Sequence, residues 1–223
     1  MTERLDHIPV HLDMDQLRQK LRISDLTRID PLLDVVYSLI EPRGVYRVSY
    51  IDDMYGDKVI IDGISFKSQV LFKNLGDTRR VFPYALTVGD QLEKALPEYK
   101  NFPEKFYLDA ISNLALGETR KYLEDHLKKK FAIERMSFMS PGSLDDWPLA
   151  EQKSLFALLG DATGEIGVSL SETFLMTPRK SISGLYFSTE TTFFNCQLCP
   201  RKACVGRKAP YSDDLARQYG ILK

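Results

Sequence analysis

Tyr46, Val48 and Tyr50 alternate with polar neighbours along GVYRVSYIDD, the two-residue period of a strand in a sheet that is wet on one face. A second apolar run, KVIIDGISF, follows the turn-like Met54-Tyr55-Gly56-Asp57, so residues 44–66 predict a strand pair. Upstream, LDMDQLRQKLRI and DPLLDVVYSLI make residues 12–40 helical, with Asp30-Pro31 as a helix start. Downstream, Val81–Thr87 predicts a strand that leads through Gly89 into a short helix at Gln91–Leu96. The longest element is a helix from about Phe106 to Phe131, preceded by the cap-like pair Asn101 and Glu104. Ile111, Leu114 and Ala115 begin its apolar stripe, and Glu118, four residues after Leu114, lies on or beside that stripe. Then come a strand at Ile133–Met139 ending in Ser140-Pro141-Gly142, and a helix at Pro148–Leu159 stopped by Gly160. Two short strands around a polar, proline-containing turn occupy Ser171–Ser188. A last helix starts at Ser212-Asp213-Asp214 and stops at Gly220.

This order mixes helices with hairpins and lacks regular βαβ alternation, which predicts an α+β fold with an antiparallel sheet. No repeat, low-complexity stretch or long linker divides the 223 residues, so one domain is expected. With 43% hydrophobic and 27% charged residues, the composition is that of an ordinary globular chain. Thirty basic residues against thirty-one acidic ones leave no net field to attract nucleic acid or an anionic membrane. Lys128-Lys129-Lys130 reads as a solvated helix end, favoured there by the helix dipole. His7 and His11 stand four apart, but Pro9 between them spoils a helical metal pair. The start, MTERLDHIPVHLD, is no secretory signal. No window approaches the roughly twenty apolar residues of a membrane span, and a cytoplasmic location is the expectation.

The stretch LSETFLMTPRKSISGLYF, Leu170–Phe187, is specific enough to carry a family resemblance. It resembles the strand-turn-strand of the activation (reactivation) domain of vitamin B12-dependent methionine synthase. The order of the long helix, Ser140-Pro141-Gly142, the Pro148–Leu159 helix, Leu170–Ser188 and the terminal helix agrees with that domain. The resemblance implies a bent antiparallel sheet flanked by helices. It also implies a module that binds S-adenosylmethionine and docks over the corrin of a cobalamin-carrying methyltransferase, so that an oxidised corrinoid can be reductively reactivated. The nucleophile there is the cobalt, so no catalytic acid, base or nucleophile is demanded of this chain. A free-standing member would support methionine synthesis in association with a separate cobalamin-binding protein.

Carried over residue by residue, the resemblance implies ligand contacts from Glu118, Ser140, Gly142, Lys180, Ser181, Ser183, Gly184 and Tyr186. It also breaks at identifiable places. The family's loop arginine, which meets a methionine carboxylate, is replaced by Phe138, and the tyrosine after the glycine by Ser143; the nearest arginine is Arg135. Phenylalanine makes no bidentate carboxylate contact. The resemblance therefore implies a retained fold with a ligand site that is weakened, altered or lost.

The segment 195–211 is not something that domain needs. It packs Cys196, Cys199 and Cys204 into nine positions, spaced C-x2-C-x4-C. In a reducing compartment such a cluster reads as metal or redox chemistry before it reads as a disulfide. Three thiolates suit zinc, with a fourth ligand from His126, an acidic side chain or a partner, or an iron–sulfur cluster. Arg201, Lys202, Arg207 and Lys208 would favour thiolates. A redox dithiol at Cys196 and Cys199, or three plain reduced thiols, are the alternatives. A cysteine-metal or electron-transfer module on this scaffold, without S-adenosylmethionine chemistry, is the competing functional expectation.

Overall fold

The computed structural model describes residues 2–21, 23, 29–204 and 207–221. In chain order its first elements are β1 (Thr2–Leu5), α1 (Met14–Leu21), α2 (Asp30–Leu39), β2 (Arg43–Arg47), β3 (Ser49–Tyr55), β4 (Lys58–Ile61) and β5 (Ile64–Lys67). Next come α3 (Gln69–Leu75), β6 (Arg80–Thr87), α4 (Gln91–Ala95), α5 (Phe102–Phe131), β7 (Met136–Met139) and α6 (Gln152–Leu159). The chain closes with α7 (Ala162–Glu165), β8 (Ser169–Leu170), β9 (Met176–Thr177), β10 (Ser181–Ser188) and α8 (Asp213–Gln218). Helices and an antiparallel sheet bear out the α+β expectation. The parts of the predicted helical stretch at 22 and 24–28, and residues 205–206 of the cysteine segment, lie outside the described residues.

Strand β6 organises the sheet. Along one edge it pairs with β10 from Ser181↔Thr87 to Phe187↔Val81, and β7 adds outside β10. The other edge is shared: β2 pairs with residues 84–87 and β3 with residues 80–81. From this fork β1 extends from β2, and the β4 and β5 hairpins extend from β3. Between the two ladders lie Pro83 and Phe82. Proline offers no N–H to a ladder, and opposite it the chain breaks at Val48. The predicted strand at 44–53 is thus two strands. The predicted strand at 58–66 is also two, divided at Asp62 and Gly63, whose φ angles are 44° and 79°. The alternation of Tyr46, Val48 and Tyr50 does not survive the break: Tyr46 is fully buried, whereas Tyr50 is 55% exposed.

Helix α5 starts four residues before its predicted position. Asn101 is its N-cap in position, Pro103 occupies the first turn, and the Asn101 side chain makes no capping bond. The predicted strand at 133–139 shortens to β7, because Ala132 takes a left-handed turn after α5 (φ 53°). The helix predicted from Pro148 opens with a 3-10 turn at Leu149–Glu151 before α6 begins. Strand β1 and helices α3 and α7 were not anticipated. The α3 start is nonetheless ordinary: the Ser68 side chain accepts the Leu71 N–H, and Asp146 accepts the N–H groups of Gln69 and Val70. No described helix is long and apolar enough to cross a membrane.

The 30 residues of α5 span about 45 Å and serve two apolar layers. Leu108, Ile111 and Leu114 pack with α1, α2 and α4. Leu123 and Leu127 pack with Tyr46, Phe82, Tyr84 and Tyr186 on the sheet. A third layer on the far side gathers β3–β5, α3, α6 and α8 around Trp147, which meets Phe66 edge-on at 6.2 Å. Truncating Trp147→Ala, fully buried in this layer, is expected to cost about 3–5 kcal/mol of unfolding free energy in urea titrations. Tyr50→Ala, on the exposed face, should stay within about 0.5 kcal/mol.

Candidate functional site

Between the middle of α5, the end of β7 and the floor formed by β6 and β10 runs a groove of about 900 Å³. That volume is within the range of small-molecule sites, roughly 300–1,000 Å³. Glu118, Arg120, Phe138, Ser140, Gln152 and Ser183 are among its lining residues. The floor is polar and closed to water. The buried Ser183 hydroxyl donates to the equally buried Gln152 Oε1 at 2.7 Å, which leaves neither group orphaned. Tyr84 is 1% exposed, and burial pushes its phenol up to about 12.

The loop at the groove's edge needs glycine twice. A Cβ on Gly184 would stand 2.5 Å from the Met139 carbonyl and 2.7 Å from Ser140 Oγ. Only a hydrogen atom fits there, so β10 presses directly on the start of the Ser140–Gly142 turn. Gly142 has φ 80°, its N–H donates to the Trp147 carbonyl at 2.7 Å, and a Cβ would meet Leu149 at 2.9 Å. Glycine at these positions sets the turn's position relative to the sheet.

The α5 wall carries the charge. The Arg120 side chain is only 16% exposed. Its Nη1 donates to Tyr186 Oη at 3.0 Å and lies 3.6 Å from Glu124 Oε2, and Tyr186 donates in turn to Glu124. Burial opposes the guanidinium charge, but the neighbouring Tyr186, Tyr84 and Glu124 outweigh it and raise its pKa. The same burial, with Tyr84 adding to it, raises the Tyr186 phenol well above its ordinary value. The guanidinium carbon sits 4.4 Å from the centroid of the Phe138 ring.

Of the ligand residues expected from the sequence, Glu118, Ser140 and Ser183 come together in this groove. Gly142 and Gly184 shape its edge, and Tyr186 reaches it through Arg120. Lys180 and Ser181 do not join them. The Lys180 ammonium pairs with Asp109 at 2.6 Å and Asn113 at 2.9 Å on α5. Ser181, buried in the β6–β10 ladder, donates to Thr87 Oγ1 at 3.1 Å. Both fasten the sheet to its surroundings.

Cys196 and Cys199 are half-buried around a 3-10 turn at Asn195–Gln197, and Cys204 is exposed. Among the described residues no group of three or more His, Cys, Asp or Glu side chains is arranged to hold a metal ion. What organises the segment is Arg207. Its Nη1 donates to the carbonyls of Cys196 (2.8 Å) and Ala209 (3.2 Å), and its Nη2 to those of Cys199 (3.1 Å) and Arg201. The next residue, Lys208, donates its backbone N–H to Cys196 Sγ at 3.4 Å and lines the groove.

Sequence reasoning gave no place in the groove to Arg120, Glu124, Tyr84, Gln152 or Lys208. A signal existed for one of them. Arg120 falls four after Leu116 and three before Leu123, a charged residue at a stripe position of an otherwise apolar helix face. Tyr84, Gln152 and Lys208 come from three distant elements and carry no local mark.

A forked antiparallel sheet, crossed by one long helix with a groove between them, defines an α+β protein. Residues 119–205 match the family model for the vitamin B12 dependent methionine synthase, activation domain. The crystal structure of the MetH reactivation domain bound to AdoHcy superposes with a TM-score of 0.59 at 15% identity, over 99% of this chain and 86% of that one. Comparison with curated proteins gives no match. The resemblance is thus present in sequence over 119–205 and in fold over nearly the whole chain. Glu118 lies one residue before the matched segment, and Lys208 lies beyond it.

The buried phenols give the molecule an alkaline limit. Tyr84, and Tyr46 at the sheet–α5 contact, are both raised from 10 to about 12. Their protonated forms stabilise the fold fully below pH 10, and that stability is lost as pH rises towards 12, because the unfolded chain releases these protons first. For Tyr84 the loss is on the order of 2–3 kcal/mol. Unfolding free energies across this range should fall less steeply in Tyr84→Phe than in the parent; parallel curves would show that the phenol is not buried in this way.

Proposed function

We propose that this chain is an activation-domain-type module of cobalamin-dependent methionine synthesis. Residues 1–223 act as one unit that binds S-adenosylmethionine in the α5 groove and docks on a partner methyltransferase carrying the cobalamin. The observation that carries this reading is the convergence of Glu118, Ser140 and Ser183, expected from the family resemblance, on one groove of nucleoside-accommodating size. The match over 119–205 supports it from the sequence side. The solved reactivation domain of the same fold is bound to AdoHcy, the demethylated form of that ligand.

The residues present fit such a ligand. Glu118 supplies acceptors for hydroxyl or ammonium groups, Ser140 and the turn around Gly142 supply small polar contacts, and the Arg120 charge stands ready for an anionic end. Methyl transfer to a reduced corrinoid is chemistry of the cobalt and the sulfonium. The chain's part is to hold the ligand in a fixed place and orientation. The Ser140–Gly142 turn, locked by Gly184 and by the Trp147 carbonyl, provides a rigid rim against which the corrin face of the partner docks.

Calorimetric titration of S-adenosylmethionine into the purified chain tests the reading. Saturable binding with a Kd on the order of micromolar is expected, weakened by roughly tenfold in Glu118→Ala. Lys180→Ala, whose ammonium is committed to Asp109, should bind as the parent does. Absence of heat at millimolar ligand would sink the reading.

A further inference from the structure

Phe138 is flanked by two cations from two different parts of the chain. The Arg120 guanidinium, from α5, lies 4.4 Å from the ring centroid, and the Lys208 ammonium, from the segment after the cysteines, lies 5.9 Å from it. Both side chains line the groove. Only Nη1 of Arg120 is engaged: among the described residues its Nε and Nη2 make no hydrogen bond. Those two N–H groups form the side-on edge that matches the two oxygens of a carboxylate.

The local charges do not cancel. Glu124 faces Arg120 with one oxygen and Lys128, at 2.6 Å, with the other. One carboxylate therefore serves two cations while Lys208 stands beside them. Around the whole groove Lys20, Arg120, Lys121, Lys128 and Lys208 face Glu118, Glu124 and Asp125. The chain as a whole carries a net charge of −1, so this groove is a cationic exception. Arg120 is largely buried, so its repulsion with the neighbouring cations is only partly screened by water, and an anion placed between them relieves it.

We propose that Arg120 and Lys208 form a carboxylate-binding subsite at the Phe138 end of the groove. Resting on the reading of the groove as an S-adenosylmethionine-class site, it assigns the ligand's amino-acid carboxylate to these two side chains. Phe138 acts as a positioning residue: its ring is the surface on which both cations rest. The cysteine segment then has a role that requires no metal. Clamped by Arg207 and tied through Cys196 Sγ to the Lys208 N–H, it is the arm that delivers Lys208 to the groove.

The test compares S-adenosylhomocysteine with its decarboxylated analogue, which keeps the nucleoside, sulfur and amine. Each is titrated calorimetrically into the parent, Lys208→Gln, Arg120→Lys and Arg120→Gln. The parent is expected to prefer the intact ligand by roughly tenfold to a hundredfold. That preference should shrink in Lys208→Gln and Arg120→Lys and vanish in Arg120→Gln, with the affinity for the decarboxylated analogue unchanged. Lys208 is exposed, so its variant keeps the test sound if Arg120→Gln unfolds, as thermal melting would show. Equal affinities in the parent, or a preference that survives Lys208→Gln and Arg120→Lys, would overturn the subsite while leaving the groove reading standing. No binding of either compound at millimolar concentration would overturn both.

Discussion

Strand β6 is the constraint from which the rest of the molecule follows. Seven of its eight residues are buried, and its two edges are both occupied, one by β10 and the other by β2 and β3 in turn. Such a strand cannot shift register without moving its side chains to the wrong face. Pro83 interrupts one edge and so decides where β2 ends and β3 begins. The fork that results gives the sheet two directions, one facing α5 and the other facing α3, α6 and Trp147. The groove lies where the first of these surfaces meets the turn that follows β7.

The site is built by close approach more than by any single reactive group. Gly184 lets β10 meet the Met139 carbonyl directly, and Gly142 lets the turn fold back on Trp147. On this rigid side the polar groups are paired, as with Ser183 and Gln152. On the α5 side they are only partly paired, and the charge is concentrated in Arg120 and its neighbours. A fixed wall facing a charged wall is an arrangement for holding and orienting a ligand.

Much of this was legible in the residues. The strand-turn-strand at Leu170–Phe187 has a dense local pattern, and it identified both the family likeness and the fold. The helix α5 was legible from its apolar stripe, though its first turn was not, because Phe102 and Phe106 are exposed and extend no stripe. Breaks at Val48 and Gly63 were not legible, since one depends on Pro83 across the sheet and the other on a turn inside an apolar run. Of the residues named by analogy, Glu118, Ser140 and Ser183 line the groove. Lys180 looked functional by the same analogy, yet its charge is consumed by Asp109. Arg120 and Lys208 meet only because the chain brings residues 88 positions apart to one ring. No local pattern encodes such a meeting.

The loop organised by Arg207 carries a consequence of its own. Tight turns rich in cysteine are commonly fastened by a disulfide or an ion, and both fastenings depend on the surroundings: one on the electron supply, the other on the metal supply and on pH. Here one guanidinium holds four carbonyl oxygens, a fastening that draws on neither supply. The fastening is thus built into the chain at synthesis. It draws on no sulfur chemistry: the one sulfur that takes part in the turn, Cys196 Sγ, does so only as acceptor of the Lys208 N–H.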